Sequence, residues 1–168
     1  MDLPNRKTNR LPHFDYSTPG SYFITICTKG KQCLLANIVG GGALDAPQTQ
    51  LTKLGKLVET HIVSGNRIPN VRVDKYVIMP NHIHLLLIID ENPFCGPSKA
   101  PAPTNALIPH FVSTLKRFCR RDAGLVLFQR SYHDHIIRNE QDYLRIWEYI
   151  ENNPARWKED CFYEESLL

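Results

Sequence analysis

Residues 71 to 89 constrain this chain more than any other stretch. Two runs rich in β-branched and large apolar residues, Val71 to Met79 and His82 to Ile89, are separated only by Pro80-Asn81. Such runs read as strands, and a two-residue break between them reads as the turn of an antiparallel hairpin. Both strands are therefore expected at the centre of a sheet. The longest uninterrupted apolar run, Leu85 to Ile89, is far below the ~20 residues a bilayer-spanning helix needs.

The remaining elements follow from pattern. Gly20 opens a first strand, Tyr22 to Thr28, which closes at Lys29-Gly30. Residues 1 to 19, polar and carrying Pro4, Pro12 and Pro19, are expected to form an arm that lies on the body without a core of its own. Gly40 to Pro47 reads as a loop, and Leu51, Leu54, Leu57, Val58 and Ile62 recur at helical spacing, which predicts a helix from Thr49 to Ser64. Residues 90 to 104 contain four prolines and read as a second loop. A helix from Asn105 to Asp122 buries Leu107, Phe111, Leu115 and Phe118 and ends at Gly124. A fourth strand, Ser131 to Ile137, leads to Asn139, which caps a last helix from Glu140 to Asn152 that Pro154 stops. The order βαββαβ plus a terminal helix predicts an α+β, ferredoxin-like (split βαβ, RRM-like) fold, with an antiparallel sheet and two helices on one face. The other face is left for an added helix or a ligand. At 168 residues and 42% apolar content, a single domain with a real core is expected.

Chemistry concentrates at the start of the third strand. His82 and His84 stand two apart, so both imidazoles leave one face while Ile83 packs behind them. That arrangement offers two ligands to one divalent metal; the alternative is a pair of strand histidines satisfied by neighbours. On the last helix Tyr149 and Asn153 stand four apart and share a face. A phenol there can act as a nucleophile and an amide oxygen as a hard third ligand, unless the tyrosine only buries its ring and the asparagine only ends the helix.

A second pair, His133 and His135 flanking Asp134, supplies an alternative: a zinc-dependent hydrolase using four histidines, although no H-E-x-x-H helix accompanies them. G-x-S-x-G, G-x-x-x-x-G-K-[ST] and G-x-G-x-x-G are all absent, so neither a hydrolase elbow nor a nucleotide cofactor is expected. The five cysteines lack a C-x-x-C pair, which suits a reducing compartment. No apolar stretch follows the charged N-terminus, so a cytoplasmic protein is expected. Lys116, Arg117, Arg120 and Arg121 cluster on one helix, and Arg6, Lys7 and Arg10 form a second basic group. Either serves as phosphate contacts or as a solvated face. Phe14, Tyr16 and Tyr22 are candidates for stacking on bases, or for core.

The strand Pro80-Asn81-His82-Ile83-His84-Leu85, the segment Asp134-His135-Ile136-Ile137-Arg138-Asn139 and the helix end Tyr149-Ile150-Glu151-Asn152-Asn153-Pro154 occur in that order. Together they resemble the REP-associated tyrosine transposases of the HUH superfamily, relatives of the small IS200-like single-strand transposases. The likeness runs from Asp15 to Pro154. It implies a DNA transposase that cleaves and rejoins single-stranded DNA beside hairpins of repetitive extragenic palindromes through a 5′-phosphotyrosine. Tyr149 matches the catalytic tyrosine, His82 and His84 the metal pair, and Asn153 the third polar ligand, with Mg²⁺ or Mn²⁺ as cofactor. His135, Arg138 and Asn139 match positions expected to support the site and its phosphate. Arg6, Arg10, Tyr16, Lys116, Arg117, Arg120, Arg121 and Arg138 are the expected DNA contacts. The resemblance also implies a cytoplasmic, nucleoid-associated monomer or homodimer with no membrane partner. A non-catalytic single-stranded nucleic-acid module is the other alternative, but the third strand lacks the glycine and aromatic pattern of an RNP1 motif.

Overall fold

The computed structural model describes residues 14–41, 46–90 and 106–163. Six strands and three α-helices follow in chain order: β1 Gly20–Cys27, β2 Ala36–Val39, β3 Gln48–Leu51, α1 Lys53–Ser64, β4 Val71–Ile78, β5 His82–Ile89, α2 Leu107–Ala123, β6 His133–Ile137 and α3 Glu140–Asn152. The main sheet has the order β4-β5-β1-β6 with every neighbouring pair antiparallel. This is the split-βαβ arrangement expected from the element order. The hairpin of β4 and β5 pairs from Val71↔Ile89 to Ile78↔Ile83, with a bulge between Val73 and Lys75.

Alternation along each strand gives the sheet two faces with different tasks. One face presents Ile24, Ile26, Ile83, Leu85, Leu87 and Ile89, which pack against Val58 and Ile62 of α1 and Ile108, Phe111, Val112 and Leu115 of α2. Fully buried aliphatic side chains of this kind each contribute about 1.5–3 kcal/mol relative to exposure. The opposite face presents Phe23, Thr25 and Cys27 on β1 beside Leu86, His84 and His82 on β5. Ile146 and Ile150 of α3 cover only Leu86 and its neighbours there, so the histidine end of β5 lies beyond the apolar contact.

Several boundaries differ from the sequence reading. The segment expected to start a helix at Thr49 first forms β3, which pairs with β2 in a separate two-stranded sheet, Ala36↔Leu51 to Val39↔Gln48. The helix begins only at Lys53, because the Thr52 side chain accepts the Gly55 N–H and caps it. β6 begins at His133, two residues later than expected. Asn139 caps α3 as anticipated, its side chain accepting the Asp142 N–H at 2.8 Å. Gly124 ends α2 in the left-handed region at φ 69°.

The described end of the arm, residues 14 to 19, shares the main core. Tyr16 is 4% exposed and belongs to the main core with Tyr22; their rings, with that of Phe14, meet at centroid distances of 5.1 to 6.4 Å. Ser17 Oγ accepts the Leu107 N–H at 3.1 Å and the Tyr16 carbonyl accepts that of Ile108 at 3.4 Å. Residues 14 to 19 thus lie on the body and satisfy the otherwise orphaned start of α2. A ring buried in this way offers no face to a base, which removes Tyr16 from the DNA contacts. Arg6, Arg10 and the proline-rich loop 91–104 lie outside the described residues.

Candidate active site

The site is built where β5 begins. Asn81, His82 and His84 are each at most 1% exposed, and the two imidazoles leave the same face, with His82 Nε2 and His84 Nε2 3.0 Å apart. Their other nitrogens are engaged: His82 Nδ1 meets Asn81 Oδ1 at 2.9 Å and His84 Nδ1 meets Thr25 Oγ1 at 2.8 Å. The Asn81 amide nitrogen donates to the Phe162 carbonyl at 2.7 Å, so its oxygen must accept from His82 Nδ1–H. That tautomer leaves His82 Nε2 a bare acceptor. Thr25 is a hydroxyl rotor able to accept from His84 Nδ1–H, which bares the second Nε2 as well. Two lone pairs aimed at each other across 3.0 Å fit a shared cation.

Burial is the first cause that moves these groups. It pushes His82 down to about 4, against a smaller upward pull from Asp160. It holds His84 well below the ordinary imidazole range, with the His82 charge acting in the same direction. The unfolded His82 protonates near 6.5, so below that pH the unfolded chain binds a proton that the folded chain refuses. This contribution to stability is whole above about pH 6.5 and is lost as pH falls towards 4. Urea denaturation of metal-free protein is expected to lose on the order of 2 kcal/mol between pH 7 and pH 4. A flat profile over that window would contradict the assignment.

α3 delivers the phenol. Tyr149 Oη lies 3.4 Å from His84 Nε2, and the residue is 37% exposed. Phe23 stacks on His84 at 5.0 Å and meets the Tyr149 ring edge-on at 6.0 Å, which fixes both rings. Burial, and then the Asp160 charge, raise the Tyr149 phenol above its ordinary range. One turn later Asn153, 2% exposed, donates from Nδ2 to Asp160 Oδ2 at 3.0 Å, while its Oδ1 is buried with no partner. An orphaned amide oxygen in the same cluster as two bare imidazole nitrogens is a donor set suited to a divalent metal. His82, His84, Tyr149 and Asn153 are therefore brought together.

The sequence reading missed Asp160. Its Oδ2 accepts from Tyr149 Oη at 3.2 Å and lies 3.9 Å from His82 Nε2. Among the described residues, His82, His84 and Asp160 form a group whose ligand atoms all lie within 4.8 Å of one another. Asp160 follows an irregular 3₁₀ segment, Pro154–Glu159, so no periodicity announces it.

Other expected site residues lie elsewhere. His135 pairs with Asp142 at 2.7 Å, half exposed, and Asn139 is a helix cap; both serve the start of α3. His133 and His135 do not join the buried cluster, which removes the basis for a four-histidine zinc site. Lys116 is structural: its Nζ donates to the carbonyls of Gln129, Arg130 and Ser131 at 2.8 to 3.1 Å, and burial lowers it to about 8. Arg117 and Arg121 lie over the Phe118 ring at 5.1 and 4.8 Å, and Arg121 also pairs with Asp122. Arg120 and Arg138 are exposed. Because α2 covers the sheet face opposite the histidines, its arginines cannot touch a phosphate held at His82 and His84 of the same chain.

This fold and site define an α+β sheet protein with a buried histidine pair and a helix-borne tyrosine. The same fold is seen in the solved structure of a REP-associated tyrosine transposase bound to a REP hairpin, with TM-score 0.60 and 18% identity over 94% of this chain and 74% of that one. No family model matches the chain. An uncharacterized protein of Haemophilus influenzae is 36% identical over 176 aligned residues, 96% of this chain and 94% of its own length. The chain belongs to the same family as that Haemophilus protein.

Proposed function

We propose that the protein is a metal-dependent tyrosine transposase that cleaves and rejoins single-stranded DNA beside REP-like hairpins. The observation that carries this reading is the 3.4 Å approach of Tyr149 Oη to His84 Nε2, itself 3.0 Å from His82 Nε2. Its fold is that of a transposase solved with a REP hairpin. His82, His84 and Asn153 Oδ1 would hold Mg²⁺ or Mn²⁺, which when bound polarises the scissile phosphate.

The rest of the chemistry falls to the chain. Phe23 and the rigid β5 strand hold the imidazoles, and Phe23 also orients the phenol. Rings of Trp157 and Phe162 stand 5.9 and 4.9 Å from His82 and exclude water from it. The Tyr149 oxygen bonds to phosphorus as the bond from phosphorus to the 3′-oxygen breaks. The phenolic proton leaves Oη as that bond forms, and the departing 3′-oxygen takes a proton up. One phosphodiester is thereby exchanged for another, so an incoming 3′-OH can reverse the attack without a nucleotide. Incubation of the protein with a labelled, hairpin-bearing single strand and Mg²⁺ or Mn²⁺ is expected to give a protein–DNA adduct that survives denaturant. Binding without an adduct would favour a non-catalytic module, and metal-dependent cleavage without one would favour a hydrolase.

A further inference from the structure

We propose that Asp160 is an acidic ligand to the same divalent cation, carried to the histidine pair by the segment that follows α3. This rests on the reading of His82 and His84 as a metal site. The donors read from the sequence, two neutral imidazoles and one amide oxygen, bring no negative charge. Hard cations such as Mg²⁺ are usually bound through at least one carboxylate. Asp160 supplies one: its side chain is 1% exposed and its Oδ2 lies 3.9 Å from His82 Nε2.

Among the described residues no lysine or arginine forms an ion pair with it, and the imidazole it faces is that of His82. An ionised carboxylate taken out of water without a counter-charge is costly, and hydrogen bonds offset only part of that cost. Three such bonds aim it: Asn153 Nδ2 and Tyr149 Oη donate to Oδ2 at 3.0 and 3.2 Å, and the Phe162 N–H donates to Oδ1 at 2.7 Å. The segment is pinned in turn by the Asn81 amide, which donates to the Phe162 carbonyl at 2.7 Å. Asn81 therefore orients His82 with one end and docks the Asp160 segment with the other. In this arrangement Asn153 is also a positioning residue, holding the carboxylate through its nitrogen.

The test uses the full chain without DNA. Mn²⁺ alone is titrated into wild type and into Asp160→Asn, with bound and free ion separated by electron paramagnetic resonance. The variant is expected to bind at least about tenfold more weakly, and Asn153→Ala to lose less. Co²⁺ added to Asp160→Cys is expected to give a thiolate-to-cobalt charge-transfer band that wild type, which keeps the neighbouring Cys161, does not show. The Cys variant keeps the proposal falsifiable if Asp160→Asn folds poorly. An Asp160→Asn protein with native circular dichroism and Mn²⁺ affinity within about twofold of wild type, or an Asp160→Cys protein without the band, would overturn it. Wild-type Mn²⁺ binding that is absent, or indifferent to His84→Ala, would instead sink the metal site as a whole. Affinity kept in Asp160→Asn but lost in His84→Ala is the failure of this proposal alone, which separates it from the failure of the site.

Discussion

Tyr149→Phe is expected to abolish the covalent DNA adduct and to lower strand cleavage by about 10⁴-fold or more, as removal of a nucleophile does elsewhere. The change deletes one oxygen and keeps the ring, so the edge-on contacts with Phe23 at 6.0 Å and His84 at 5.2 Å survive. The hydrogen bond to Asp160 and the 3.4 Å contact with His84 Nε2 are lost, a matter of about 1–2 kcal/mol in stability. Hairpin binding, measured by gel shift, is therefore expected to persist while the adduct band disappears. Adduct formation that persists in Tyr149→Phe would move the nucleophile to another residue and dissolve the link between α3 and the histidine pair. The Tyr149 phenol is raised above its ordinary range by burial, so the free enzyme holds it protonated at neutral pH. The attacking oxygen must lose its proton during the step, not before it.

The second large effect is on folding. Gly55 sits in the first turn of α1, and a Cβ built there would lie 2.0 Å from the Leu35 carbonyl oxygen. That carbonyl also accepts the Thr52 N–H at 2.9 Å, and the Leu35 N–H donates to the Pro80 carbonyl at 3.0 Å. The start of α1 is thereby seated on the same strand of backbone that braces the turn before His82. Backbone cannot swing aside as a side chain does. Gly55→Ala is expected to cost about 3 kcal/mol, at the upper end for overpacking, and to lower the melting temperature by about 6–12 °C. Gly124→Ala is a useful comparison: no atom lies within 4 Å of its built Cβ, and the penalty there is its φ of 69° alone. A melting temperature for Gly55→Ala equal to wild type would mean that Leu35 does not pack where the structure has it.

How much could be read in advance depended on the interaction involved. The hairpin of β4 and β5 and the common face of His82 and His84 are consequences of two-residue alternation, a property of the backbone alone. The pairing of Tyr149 with Asn153 is likewise helical spacing, and the cap at Asn139 is local chemistry between residues three apart. β2 and β3 were hidden because each has four residues and pairs with the other across a glycine-rich connection, too short for any periodicity. Lys116 looked like a phosphate contact because charge is visible in sequence, whereas the three carbonyls that hold it are not. Tyr16 was open in sequence between a base-stacking contact and core, and only the packing of its ring beside Tyr22 decides for core.

By itself, then, the order of residues determined the α+β topology, the shared face of the histidine pair and the helix that bears the phenol, since each depends on spacing within one element. Tertiary structure alone decided, among the described residues, that the ligand atoms of His133 and His135 stay out of the group around His82 and His84 and that Asp160 enters it. Those outcomes turn on which surfaces meet when separate elements pack, and a carboxylate on an irregular segment acquires its meaning only from the imidazoles it is folded against.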